Sequence, residues 1–138
     1  MTSPNPASAA ALLPAFALAL GLILPGLAAA AETRDTYPDV IAVQVRAAGP
    51  DRYDFDVTVS SPYDTPRRYA DGFRVTSADG RTIHGERKLW HDHANEQPFT
   101  RDLYGVTIPP GVRQVRVQAR DQTHGYGGRA QDVALPGR

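Results

Sequence analysis

The stretch Tyr53-Asp54-Phe55-Asp56-Val57-Thr58-Val59-Ser60 alternates without exception. Tyr53, Phe55, Val57 and Val59 fall on one side; two Asp, a Thr and a Ser fall on the other. A period of two belongs to a pleated strand, whose successive side chains leave opposite faces. This segment is therefore a half-buried strand with its acidic side toward solvent. The same pattern recurs at 40–47, where Ile41, Val43 and Val45 oppose Gln44 and Arg46, and at 70–77, with Phe73 and Val75 inward. It recurs more weakly at 81–89, where Ile83 and Leu89 share a face but Gly85 and the Arg87-Lys88 step intrude. Further strands are predicted at 99–106, at 112–121 (Val115, Val117 and Ala119 against Arg116, Gln118 and Arg120) and at 129–135.

Turn chemistry separates these segments: Gly49-Pro50-Asp51, Asp79-Gly80, Pro109-Pro110-Gly111 and a run with three Gly at 122–128. No segment has a convincing helical period. Seven short strands at roughly ten-residue spacing predict an all-β fold, an antiparallel seven-stranded sandwich of immunoglobulin or fibronectin type III-like architecture. The Cys pair of antibody domains is missing, so the expectation concerns architecture alone.

The first 31 residues carry no Lys, Arg, Asp or Glu. They run through an apolar core, a Pro25-Gly26 break and an Ala-rich end, the pattern of a secretory signal peptide. Cleavage after Ala30 or Ala31 leaves residues 32–138 as a single β-sandwich domain in the periplasm or outside the cell. The alternative is an uncleaved membrane anchor, since the run has the ~20-residue reach of a bilayer span. Net charge is zero, which removes the electrostatic case for nucleic acid or an anionic membrane surface. Cys is absent and the only Met is Met1, so soft Cu(I) ligation is excluded after cleavage.

In a sandwich of successive antiparallel strands, connections alternate between two ends. Connections one, three and five (48–52, 78–80 and 107–111) are plain turns. Connections two, four and six (61–69, 90–98 and 122–128) are longer and carry unusual side chains, as binding loops of variable domains do. The predicted shared end gathers His91, Asp92, His93 and Glu96 with His124 and Tyr126, and brings in Tyr63, Asp64, Arg67, Arg68 and Tyr69, with Asp121 at the base of the sixth connection.

His91-x-His93 in extended chain puts both imidazoles on one side, and His124 from another loop would complete three nitrogen ligands with one open position. That pattern suits Zn²⁺ or Cu²⁺. Asp92, Glu96 or Asp121 would act as a fourth ligand or orient an imidazole. The alternative is structural: the imidazoles bond loop carbonyls, Asp92 caps a turn, and the glycines after His124 take positive φ. Arg67 and Arg68 would hold an anion on a ligand or simply be solvated. Glu96 and Arg101 are expected to be two solvated charges, the alternative being a charged pair that holds the loop. Trp90 is expected to close the end of the core, with an aromatic platform of Trp90, Tyr63, Tyr69 and Tyr126 for a sugar or peptide as the other reading. No Cys nucleophile or nucleophile elbow is present, so catalysis is poorly supported and a metal-dependent hydrolase is a minor alternative.

The words Ala70-Asp71-Gly72-Phe73-Arg74-Val75, Leu89-Trp90-His91-Asp92-His93, Glu96-Gln97-Pro98-Phe99-Thr100-Arg101 and His124-Gly125-Tyr126-Gly127-Gly128 resemble a group of small exported bacterial proteins of unknown function. The resemblance covers about residues 69–135. It implies export and a compact β domain, and no catalytic activity. Taken together, the sequence points to a non-catalytic binding module of the cell envelope whose partner is a small ligand or an envelope protein. It points to no nucleic acid, and to a membrane only if the N-terminal segment stays attached. A purely structural or interaction domain without metal is the alternative.

Overall fold

The computed structural model describes residues 1–4 and 36–138, so the expected signal peptide lies outside the described residues apart from its first four. Eight strands follow in order: β1 (Asp39–Gly49), β2 (Arg52–Ser60), β3 (Ala70–Ser77), β4 (Ile83–Lys88), β5 (Phe99–Thr107), β6 (Gln114–Asp121), β7 (Gly125–Tyr126) and β8 (Gln131–Ala134). They form two antiparallel sheets. One has the order β1-β2-β5; the other runs β4-β3-β6, with β7 and β8 both on the far side of β6. All seven predicted strands are present. The additional β7 lies inside the sixth connection, which the sequence had suggested was loop throughout.

The core lies between the sheets and is built by the alternating residues. Phe55, Val57 and Val59 of β2 meet Phe73 and Val75 of β3, Phe99 and Val106 of β5, and Val115, Val117 and Ala119 of β6. A sandwich this thin has one apolar layer, so parity decides the position of every strand residue.

Parity fails at β-bulges, where a residue is inserted and the sequence beyond it changes face. The β1–β2 register skips Ile41, so Val40 and Val43 both turn inward while Ile41 is exposed. This corrects the expected grouping of Ile41 with Val43 and Val45. The β3–β4 register skips His84 and turns Ile83 out to 50% exposure, against the expectation that it pairs with Leu89 in the core. The β3–β6 register skips Asp71, and the β2–β5 register passes from Val106 to Leu103 while β2 advances only from Tyr53 to Phe55.

Candidate functional site

Connections two, four and six do share one end of the sandwich, and the buried Asp64 and Asp121 with the half-buried Gln97 hold them there. Asp64, in the second, accepts the amide of Ala70 through Oδ1 and that of His93 through Oδ2, both at 3.0 Å. Gln97, beside the cis Gln97–Pro98 peptide, accepts the Ser61 amide at 2.8 Å and donates to Ser61 Oγ and the His93 carbonyl. Asp121 faces inward at the end of β6 because it continues the Val115, Val117, Ala119 parity, and it is fully buried. Its Oδ1 accepts Tyr63 Oη at 2.7 Å and Arg68 Nε at 3.1 Å, and its Oδ2 accepts the amides of Thr123 and His124 at 2.9 and 2.7 Å. Arg68 also donates to the Thr36 carbonyl, which ties the segment ahead of β1 into the same network.

Burial alone would push the Asp121 carboxyl up. Hydrogen bonds from Tyr63, the His124 amide, Arg68 and the Thr123 amide outweigh it and hold the group below the usual carboxylate range. The Tyr63 phenol is driven far above its ordinary value, by burial first and then by its bond to Asp121. Arg68 and Asp121 are thus partners of each other, while Arg67 is exposed.

The histidines are not gathered as the metal reading requires. Among the described residues no group of three or more His, Asp or Glu side chains is arranged to hold a metal ion. His91 and His93 do approach, with ring centroids 4.8 Å apart. His91 turns back on its own loop, its Nδ1 2.9 Å from the Asp92 carbonyl oxygen, and Asp92 accepts the Ala94 amide in a local turn. His93 turns inward and stacks on Phe99 at 3.9 Å. His124 packs edge-on against Tyr37. The physical reason is that His124, on the sixth connection, packs on Tyr37 and does not join the His91–His93 pair. Glycines in the sixth connection also differ from expectation. Only Gly125 of the three takes positive φ. Gly128 is needed because a Cβ there would lie 2.0 Å from the Pro38 carbonyl oxygen.

His93 is 95% buried and its Nδ1 has no hydrogen-bond partner among the described residues. Burial lowers its pKa, and the positive Arg101 and His91 add to that. A His whose folded pKa is lowered favours folding only when neutral. Its contribution is complete above the unfolded value near ~6.5 and is lost as pH falls through the lowered folded value. Urea midpoints measured from pH 7.5 down to 5 should therefore fall more steeply in the wild type than in His93→Phe; equal slopes would show that His93 is not the group responsible.

Two further expectations are corrected. Glu96 and Arg101 are not independent solvated charges: both guanidinium ends donate to the carboxylate, at 3.2 and 2.9 Å, and this bond holds Glu96 below its ordinary pKa. Trp90 does not close the core, being 78% exposed. Leu89 takes the inward position at 4% exposure, with its amide bonded to the Asp71 carbonyl, and the next residue has to point out. Alternation carried one residue past Leu89 is the sequence signal that would have found this.

Trp90 stands beside a second feature, on the outer face of the larger sheet. A cavity of about 400 Å³ there is lined by Gly72, Glu86, Arg87, Lys88, Arg120 and Tyr126. The bulge turns Asp71 outward, where its Oδ2 accepts Arg120 at 2.6 Å and pairs with Lys88 at 3.7 Å. The Lys88 ammonium lies 5.4 Å from the Trp90 ring centroid. Strand β7 pairs Tyr126 with Arg120, and the Arg74 guanidinium covers the Tyr126 ring at 3.7 Å. Burial, then the neighbouring Glu86, raise the Tyr126 pKa, so it remains a phenol. Gly72 keeps the β3–β4 approach close, since a Cβ there would lie 2.6 Å from the Arg87 carbonyl oxygen. Asp71, Lys88 and Arg120 were missed as site residues. The readable sign was a charged Asp71 at the parity of Phe73 and Val75, which demands a bulge or a buried pair.

The class is thus an all-β, two-sheet sandwich with a welded loop end and a charged cavity on its larger sheet. No family model matches the chain. Over 95 residues it is 38% identical to a protein of Halomicrobium mukohataei described as "Putative lipoprotein". The match takes in 69% of this chain and 46% of that protein, so the chain spans about half the length of the curated relative it matches.

Proposed function

We propose that the protein is an exported, non-catalytic binding module of the bacterial cell envelope, with a contact surface running from Trp90 across Lys88 to the cavity at Arg120 and Tyr126. The observation that carries this reading is Trp90 itself. A large amphipathic ring left 78% exposed, at a position where a small polar residue would serve the fold equally well, is the side chain that interfaces most often use as an anchor. Two of the cations that line the cavity, Lys88 and Arg120, are both paired to Asp71, which sets them side by side next to the indole.

Export is supported by the charge-free apolar start with its Ala-rich end, and by the description of the Halomicrobium relative. A divalent metal forms no part of this reading, since His91 and His93 pair with each other while His124 packs on Tyr37.

The test is fractionation. The protein recovered outside the cytoplasm should have an intact mass that starts after Ala30 or Ala31. The purified protein should cosediment with isolated envelopes, and Trp90→Ala should reduce that several-fold without changing the unfolding midpoint. A mass still starting at Met1 would remove processed export. Cosedimentation indifferent to Trp90→Ala would remove the contact surface.

A further inference from the structure

We infer that this surface binds an acidic saccharide, a uronic-acid chain with one sugar ring on the exposed indole of Trp90 and a carboxylate on the solvent-facing donors of Lys88 and Arg120 that Asp71 leaves free. The inference rests on the contact surface described above and adds the class of its ligand.

The indole offers an open π face, which receives the C–H face of a sugar ring or the side of a cation. It stands without an apolar neighbourhood. The other large hydrophobic side chains exposed within the sandwich are Ile41 on β1, Ile83 at the opposite end of β4 and Tyr104 on β5. An apolar peptide anchor or an amphipathic helix needs a desolvated groove with several apolar walls, and among the described residues this face shows none around Trp90. A flat polar ligand with one stacking face matches what is present.

The charges choose among polar ligands. Lys88 and Arg120 are partly exposed, at 52% and 40% of their side chains, and both line the cavity. Asp71 occupies one oxygen's worth of their donors. An ammonium has three donors and a guanidinium five, so both retain capacity for an incoming carboxylate. The buried Asp71 fixes Arg120 at 2.6 Å before a ligand arrives, so little ordering of that side chain remains to oppose binding. Glu86 on the same rim accepts hydroxyl groups, which a saccharide supplies and a simple inorganic anion does not. The volume, about 400 Å³, lies within the range of small-ligand sites.

Trp90 is the only Trp in the chain, so intrinsic fluorescence reports on this surface alone. Purified protein titrated with tetragalacturonate should show a saturable change in emission. Affinity should fall at least ten-fold in Lys88→Gln and in Arg120→Gln, and fall likewise at about 1 M salt, where charges beyond ~3 Å are screened. Lys88→Gln is the decisive variant, because Lys88 pairs with Asp71 only at 3.7 Å and its loss leaves Arg120 in place to hold the fold. Trp90→Ala, followed by calorimetry, should abolish binding. The proposal is overturned by the absence of a saturable change with tetragalacturonate. It is equally overturned by equal affinity for a neutral tetrasaccharide, by equal affinity for tetraglutamate, or by an unchanged affinity in Lys88→Gln. Any of these results with Trp90-dependent envelope cosedimentation intact removes the ligand class and leaves the binding module standing. Tetragalacturonate binding with that cosedimentation absent supports the saccharide and removes the envelope role.

Discussion

Asp121→Ala is expected to destabilise the fold by about 3 kcal/mol, the scale for removing one partner from a buried charged pair. The substitution leaves the Tyr63 hydroxyl, the Arg68 guanidinium and the amides of Thr123 and His124 without their acceptor at a fully buried position. Each buried donor left unmade costs about 1–3 kcal/mol in isolation. Arg68 is 29% exposed and recovers part of its loss from water, which keeps the total near the lower end. Tyr63→Phe removes one bond and should cost about 1 kcal/mol, and the exposed Arg67→Ala should stay within about 0.5 kcal/mol. The pH dependence has a definite sign. The folded Asp121 pKa is lowered, so its contribution is fully present above the unfolded value near ~3.9 and is lost as pH falls through the lower folded value. Urea unfolding at neutral pH and at pH 3 measures both effects. A cost for Asp121→Ala no larger than that for Arg67→Ala would show that the loop end is not held by this carboxylate.

The network explains why the end of the sandwich was legible while its chemistry was not. Counting strands places connections two, four and six together, and that needs only the alternation of strand direction. The side chains that hold the connections together were visible as polar residues but not as partners. Asp121 continues the inward parity of Val115, Val117 and Ala119, which marks it as a buried carboxylate, yet nothing local says that Tyr63 and Arg68, far away in sequence, supply its donors. His124 illustrates the opposite error. The spacing of two does leave the His91 and His93 rings 4.8 Å apart, but sharing an end of the sandwich does not bring His124 to them, because it packs on Tyr37. The bulges at Ile41, Asp71 and His84 are a third kind of gap. Each moves one residue to the other face and costs little locally, so the alternation on both sides still reads as a continuous strand. The bulge at Asp71 has a functional consequence: it carries a carboxylate out of the core layer and sets it between Lys88 and Arg120, which creates the charged face beside Trp90.

The pair Leu89→Ala and Trp90→Ala should give opposite results to those that residue type alone suggests. Leu89 is 4% exposed and belongs to the core cluster with Phe73 and Phe99. Truncating a buried Leu removes its transfer free energy and leaves a cavity, and the expected cost is about 3 kcal/mol. Trp90 is the larger side chain but is 78% exposed; its carbonyl accepts the Tyr69 hydroxyl at 3.3 Å, a bond Trp90→Ala keeps, and its ring meets the Lys88 ammonium at 5.4 Å. An exposed cation–π contact contributes about 0.5–1 kcal/mol at most, so Trp90→Ala should lower stability by no more than that. Both variants can be unfolded in urea under the same conditions, with m-values compared to establish that the unfolded states match. If Trp90→Ala proved as costly as Leu89→Ala, the indole would have to be packed against the protein, and the contact surface built on its exposure would fall with it. If the costs separate as expected, the Trp is dispensable to the fold, and the loss of envelope binding in Trp90→Ala can be assigned to the surface rather than to unfolding. That separation makes the single Trp usable as both the anchor under test and the optical probe of the test.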